Sequence, residues 1–173
     1  MLSNIFLDMV NTISKRRNIM FNQQVKDIMT KKVITANRHT TFNEVAKLMA
    51  KHDTGFIPIV DHDEIIGVIT DRDIVIRGLS NRENYNCPVD KYMTHEVITI
   101  KPDASIDQAS ELMAQKQIKR LLVTDQGKLT GVISLADITN YNNKKALQAL
   151  TGINKKNTRS YQDDNPSVDD FKL

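Results

Sequence analysis

The chain has 173 residues, 40% hydrophobic and 26% charged, a balance that suits one soluble domain or two small units sharing a core. A net charge of +3, 5% aromatics and no tryptophan supply neither the basic face nor the stacking platforms of a nucleic-acid binder. The single cysteine, Cys87, excludes an internal disulfide and fits a reducing cytoplasm, the expected localisation.

No apolar run approaches the roughly 20 residues of a spanning helix. The four histidines, His39, His52, His62 and His95, are scattered without partners at ligand spacing, so no metal site is expected. No Ser/His/Asp or Cys/His set occurs at a recognisable spacing, which makes an enzyme the weakest reading.

Residues 1–24 form an amphipathic extension. Leu2, Ile5, Phe6, Met9, Val10 and Ile13 fall on one helical face, followed by Lys15, Arg16 and Arg17. Asp8 interrupts the apolar part and the positive charges follow it, the wrong order for a secretory signal. The stretch reads as a helix packed on the main body, an extension upstream of a start at Met20, or a weak membrane-surface or partner helix. Without a second anchor, no stable membrane insertion is expected.

From Val25 an internal repeat sets the architecture. Val25 to Thr30 (VKDIMT) answers to Val89 to Thr94 (VDKYMT), and Leu48-Met49-Ala50 to Leu112-Met113-Ala114. Gly67-Val68-Ile69 answers to Gly131-Val132-Ile133, all 64 positions apart and without insertion or deletion. Each copy predicts the same order. Val33–Thr35 and Val97–Thr99 are short β-branched strands. Thr41-Phe-Asn-Glu44 and Ser105-Ile-Asp-Gln108 are capping boxes that open helices burying Phe42, Val45, Leu48 and Met49, or Ile106, Ala109, Leu112 and Met113.

Strands Phe56–Val60 and Ile65–Thr70 flank the turn 61–64. Leu121–Thr124 and Leu129–Ser134 flank 125–128, where Gly127 is free to take a positive φ. Second helices run over 71–77 and 135–140. The predicted class is α+β, two β-α-β-β-α repeats (25–77 and 89–143) packed with pseudo-two-fold symmetry around a shared core. A polar linker, 78–88, closes on Pro88. Residues 144–173 supply a short helix through Ala146, Leu147, Ala149 and Leu150, then a polar tail read as mobile.

Both repeats end alike. Gly67-Val-Ile-Thr70-Asp71-Arg72-Asp73-Ile74 and Gly131-Val-Ile-Ser134-Leu-Ala-Asp137-Ile138 each pass from a strand through a hydroxyl residue into a helix, with an aspartate three positions on. A helix start offers free N–H groups to an anion, and a carboxylate accepts hydrogen bonds from a vicinal diol such as ribose. Thr70-x-x-Asp73 and Ser134-x-x-Asp137 equally fit a capping box with Asp in place of Glu, and one residue can serve both roles.

With these motifs, 25–141 resembles a tandem pair of cystathionine β-synthase (CBS) domains, a Bateman module, most nearly the small stand-alone bacterial CBS-pair proteins. The resemblance implies two clefts that take adenosine-containing ligands: AMP, ADP or ATP, with S-adenosylmethionine, NAD or cyclic di-AMP as further members of the class. It implies that Asp73 and Asp137 hold ribose hydroxyls and that Thr70 and Ser134 face ribose or phosphate. Ile34, Thr35, Ile98 and Thr99 would line adenine pockets. Lys119 and Arg120, where the first repeat has Gly55 and Phe56, would contact phosphate or else be solvated loop charges, which favours the Asp137 cleft. Arg72 either helps neutralise phosphate or pairs with a neighbouring acid.

No cofactor is required by this reading. With no effector domain recognised in the sequence, the signal would pass to an unknown effector protein or through a homodimer, which the resemblance also implies. The alternative from another class is a ligand-free dimerisation scaffold whose clefts are filled by side chains.

Overall fold

The computed structural model describes residues 23–79 and 84–154. Nearly all of the amphipathic stretch 1–24, linker positions 80–83 and the tail from residue 155 lie outside the described residues. In chain order the elements begin with α1 (Val25–Ile28), α2 (Phe42–His52), β1 (Phe56–Asp61), β2 (Glu64–Thr70) and α3 (Asp71–Asp73), which widens into a π turn over Ile74–Gly78. After a 3-10 turn, Val89–Lys91, come β3 (Thr99–Ile100), α4 (Ile106–Lys116), β4 (Arg120–Asp125), β5 (Lys128–Ser134), α5 (Leu135–Tyr141) and α6 (Asn143–Asn154). The fold is α+β: the second repeat contributes β-α-β-β-α, and the first contributes α-β-β-α with an isolated bridge at Ala36 in place of the opening strand.

Two strand positions differ from expectation. Val33–Thr35 is not a strand: the only pairing there is a parallel bridge from Ala36 to Ile59. In the second copy the ladder sits at Thr99–Ile100, parallel to Leu122 and Val123, rather than at 97–99. The β-branched run was legible, but which of its residues meets the partner strand is set by that partner.

The helices start as their caps dictate. Thr41 and Ser105 accept from the N–H groups of Glu44 and Gln108, whose side chains accept in return from the N–H groups of Thr41 and Ser105. Both helices stop at left-handed residues, Asp53 (φ 48) and Gln117 (φ 56). The hairpin turns need two positive φ values each. His62 and Asp63 adopt them in the first copy, Gln126 and Gly127 (φ 82) in the second.

The chain divides into two compact units. Among the described residues, one comprises 23–29, 102–121 and 133–154; the other comprises 30–79, 84–101 and 122–132. The first unit is helical. It buries Val25, Ile106, Ala109, Met113, Leu121, Ile138, Ala146, Ala149 and Ile153. Helix α6 packs on α4 and α5, and a Cβ on Gly152 would lie 2.5 Å from that of Ala114, so this crossing needs glycine. Lys145 and Asp107 form an ion pair across the same α4–α6 contact.

The second unit surrounds a core of Phe42, Val45, Met49, Ile57, Ile59, Ile69, Val89 and Met93, with the Phe42 and Tyr92 rings 5.2 Å apart. Strands β1 and β2 form an antiparallel hairpin from Phe56↔Thr70 to Asp61↔Glu64.

The openings of the repeats are exchanged. Thr94 pairs reciprocally with Val68 (2.8 and 2.9 Å), and Thr30 with Val132 (2.9 Å both ways). In the same sense Val25 N–H donates to Ala104 O (2.8 Å) and Val89 N–H to Thr40 O (2.9 Å). Each copy's first residues therefore satisfy backbone groups of the other copy.

Candidate functional site

The two hydroxyl-acid corners form as nearly superposable hydrogen-bond sets. Asp73 Oδ2 accepts from the Thr70 N–H (3.0 Å) and the Thr70 hydroxyl (2.7 Å), while Thr70 Oγ1 accepts from the Asp73 N–H (3.1 Å). Asp137 Oδ2 accepts from the Ser134 N–H (2.8 Å) and hydroxyl (2.7 Å), and Ser134 Oγ accepts from the Asp137 N–H (3.2 Å). The capping role is thus real, and it leaves the second carboxylate oxygen, Oδ1, outside the cap in both copies.

The second residue of each corner ties it to the strand before. Leu135 N–H donates to the Lys119 carbonyl (2.9 Å), and Asp71 N–H donates to the Gly55 carbonyl (3.1 Å). In the first unit this bond brings the exposed Lys119–Arg120 pair to the Ser134–Asp137 turn. In the second unit the matching place is acidic. The Asp71 carboxylate lies over Gly55, where an added Cβ would come within 2.5 Å of Asp71 Oδ2. The charge beside the two corners therefore differs in sign, with two cations at one and an extra carboxylate at the other.

The two Oδ1 atoms also differ. Asp137 makes no ion pair among the described residues, whereas Asp73 Oδ1 lies 3.4 Å from Arg77 Nε. Arg77 was missed in the sequence, although its i,i+4 spacing from Asp73 is the signal that finds such pairs. The pairing with a neighbouring acid weighed for Arg72 falls to Arg77 instead. Arg72 is exposed, and its backbone N–H donates to Asp71 Oδ1 (2.7 Å).

The remaining predicted residues lie in the second unit. Ile34 packs half-buried against the core and Thr35 is exposed. The Ile98 carbonyl accepts from Leu122 N–H (3.3 Å), and Thr99 sits in β3 opposite Leu122. None of the four is hydrogen-bonded to Thr70 or Asp73 among the described residues.

An open groove of about 540 Å³ in the same unit is lined by Asn37, His39, Thr40, Lys47, Leu48 and Lys51, among others, and holds none of the predicted residues. Its polar groups are largely committed locally. Asn37 accepts from the His39 N–H, Thr40 accepts from the Asn37 N–H, and Glu44 is the acid of the α2 cap. Among the described residues no group of three or more His, Cys, Asp or Glu is placed to hold a metal ion.

Repeat, fold and paired corners define one class. The CBS domain family model matches residues 25–79 and 89–144, and the chain belongs to the CBS domain family. It is 39% identical over 135 residues to the CBS domain-containing protein YhcV of Bacillus subtilis, covering 77% of this chain and 96% of that one. Hypoxic response protein 1 of Mycobacterium tuberculosis is 33% identical over 118 residues, covering 67% of this chain and 82% of that protein. Among solved structures, the CBS domain pair of protein MJ0100 in complex with 5′-methylthioadenosine and S-adenosyl-L-methionine superposes with a TM-score of 0.64 at 31% identity. That likeness covers 71% of this chain and 98% of that one.

Proposed function

We propose that the chain is a non-catalytic regulatory module that binds an adenosine-containing ligand and passes on a conformational or oligomeric change. The observation that carries this reading is the Ser134–Asp137 corner. One carboxylate oxygen locks the turn, the other makes no ion pair among the described residues, and the Lys119 carbonyl is bonded to the Leu135 N–H of the same turn. Asp137 Oδ1 accepts from the ribose diol, and the basic pair Lys119–Arg120 meets the phosphate of AMP, ADP or ATP. The relative solved with two adenosyl compounds supports the ligand class. Thr70 and Asp73 form the second corner, with Ile34, Thr35, Ile98 and Thr99 as candidate adenine neighbours and Arg72 as a solvent-side cation. The output goes to a separate effector protein or through a homodimer in the cytoplasm. Ligand binding shifts that equilibrium only by its difference in affinity for the two states.

A ligand-free scaffold has one observation on its side, the Arg77 side chain already on Asp73. A thermal-shift panel of AMP, ADP, ATP, S-adenosylmethionine, NAD and cyclic di-AMP separates the two. Stabilisation by at least one member, lost in Asp137→Asn, supports the sensor. The asparagine keeps an oxygen for the Ser134 N–H and removes the charged acceptor, so the cap survives in part. A flat response across the panel establishes the scaffold.

A further inference from the structure

We propose that Arg77 is an internal occupant of the first acid corner, so that the chain takes one adenosyl ligand, at Asp137, until Arg77 is displaced. The inference rests on the reading of Asp73 and Asp137 as ribose acceptors and adds a rule for their use.

Arg77 is anchored to Asp73, Tyr92 and Thr94. Its Nε lies 3.4 Å from Asp73 Oδ1, and its Nη1 donates to the Tyr92 carbonyl (3.0 Å) and to Thr94 Oγ1 (3.2 Å). Thr94 is itself fixed, since its backbone pairs both ways with Val68, two residues before Thr70. The hydrogen bonds Thr70–Asp73, Arg77–Thr94 and Thr94–Val68 and the Asp73–Arg77 ion pair, closed by the chain from Val68 to Thr70, therefore form a ring around the corner. The segment that bears Arg77 is also pinned. A Cβ on Gly78 would come within 2.9 Å of the Phe42 ring, so the π turn sits directly on the core.

The consequence follows from acceptor counting. Asp73 Oδ2 already accepts two hydrogen bonds from Thr70. Oδ1 is the oxygen left for a diol, and the guanidinium neutralises it. The Asp73 side chain is 14% exposed, which leaves little room for a third approach. In the second repeat the position matching Arg77 is Tyr141, which carries no positive charge at neutral pH, and Asp137 makes no ion pair among the described residues. Two copies of one motif are thus left in different states by one substitution, 77 against 141. A ligand entering the Asp73 corner must first move Arg77. If the free-acid state is populated about a tenth of the time, the apparent affinity there falls about tenfold.

Isothermal titration of the full chain with AMP, ATP and S-adenosyl-L-methionine tests this. Wild type is expected to bind one equivalent, lost in Asp137→Asn. Arg77→Met is expected to bind a second equivalent at least about tenfold more tightly than wild type, and Asp73→Asn in that background removes it again. Arg77→Gln keeps a donor for Tyr92 and Thr94 without the charge, and replaces the Met variant should circular dichroism show that one unfolded. Two equivalents of like affinity in wild type, or one equivalent in every Arg77 variant, overturn the role of Arg77 and leave the ribose reading standing. Binding that ignores Asp137→Asn, or no binding by any chain, overturns both.

Discussion

Asp73 and Asp137 each hold a turn through one carboxylate oxygen and leave the other outside the cap. The syn and anti lone pairs of two oxygens give about four acceptor sites, and the cap uses two of them on one oxygen. Glu44 is the comparison case within the same chain. Its Oε2 accepts from the Thr41 N–H (2.8 Å) and hydroxyl (2.9 Å), and no candidate ligand residue adjoins it. The backbone N–H of Thr41 foremost, then its hydroxyl, hold the Glu44 carboxyl below the ordinary glutamate value. A depressed folded-state value means stability that is present above the unfolded value and lost as pH falls through the folded one. Urea midpoints followed from pH 7 down to 3 should therefore fall more steeply for wild type than for Glu44→Gln, which keeps an acceptor oxygen but does not titrate. Parallel curves would remove the cap carboxylate from the acid sensitivity of the fold.

Caps of this kind are local, three residues from hydroxyl to acid, and the sequence states them outright. Pairings set by distant residues are not local. Val33–Thr35 has the composition of a strand, yet only Ala36 meets Ile59, because the register belongs to β1. The repeat itself was plain at 64-residue spacing, but nothing in the letters says that Thr94 bonds to Val68 and Thr30 to Val132. Within each repeat the opening segment has no ladder partner of its own at these positions. This exchange makes each copy incomplete alone. A fragment of residues 25–79 lacks Val89, Met93 and Thr94, two of which are buried in its core. It should be unfolded by circular dichroism, as should 84–154 alone. Mixing the two should restore a cooperative melt. A fragment that folds unaided would show the exchanged pairings to be dispensable.

At the scale of the molecule, the exchange fastens the second repeat's opening beside the first corner. Thr94, whose backbone bridge to Val68 fastens the second repeat's opening, also accepts through its hydroxyl from Arg77, the partner of Asp73. Among the described residues no helix is long and apolar enough to cross a membrane, and exposed apolar side chains stand on the π turn (Val75, Ile76), just after it (Leu79) and on α6 (Leu147, Leu150). Exposed apolar clusters of this kind mark surfaces where one chain meets another. The homodimer proposed above would cover one of them. Light scattering after gel filtration should then give twice the chain mass, and either Val75→Asp with Ile76→Asp or Leu147→Asp with Leu150→Asp should return it to the monomer. If the π-turn pair is the one that does so, the dimer contact adjoins Arg77, and an adenosyl ligand that displaces Arg77 should change the dimer fraction. By linkage, the same ligand must then bind dimer and monomer with different affinities, so its titration curve should depend on chain concentration. A dimer fraction indifferent to ligand at every concentration would assign the output to a separate effector protein instead.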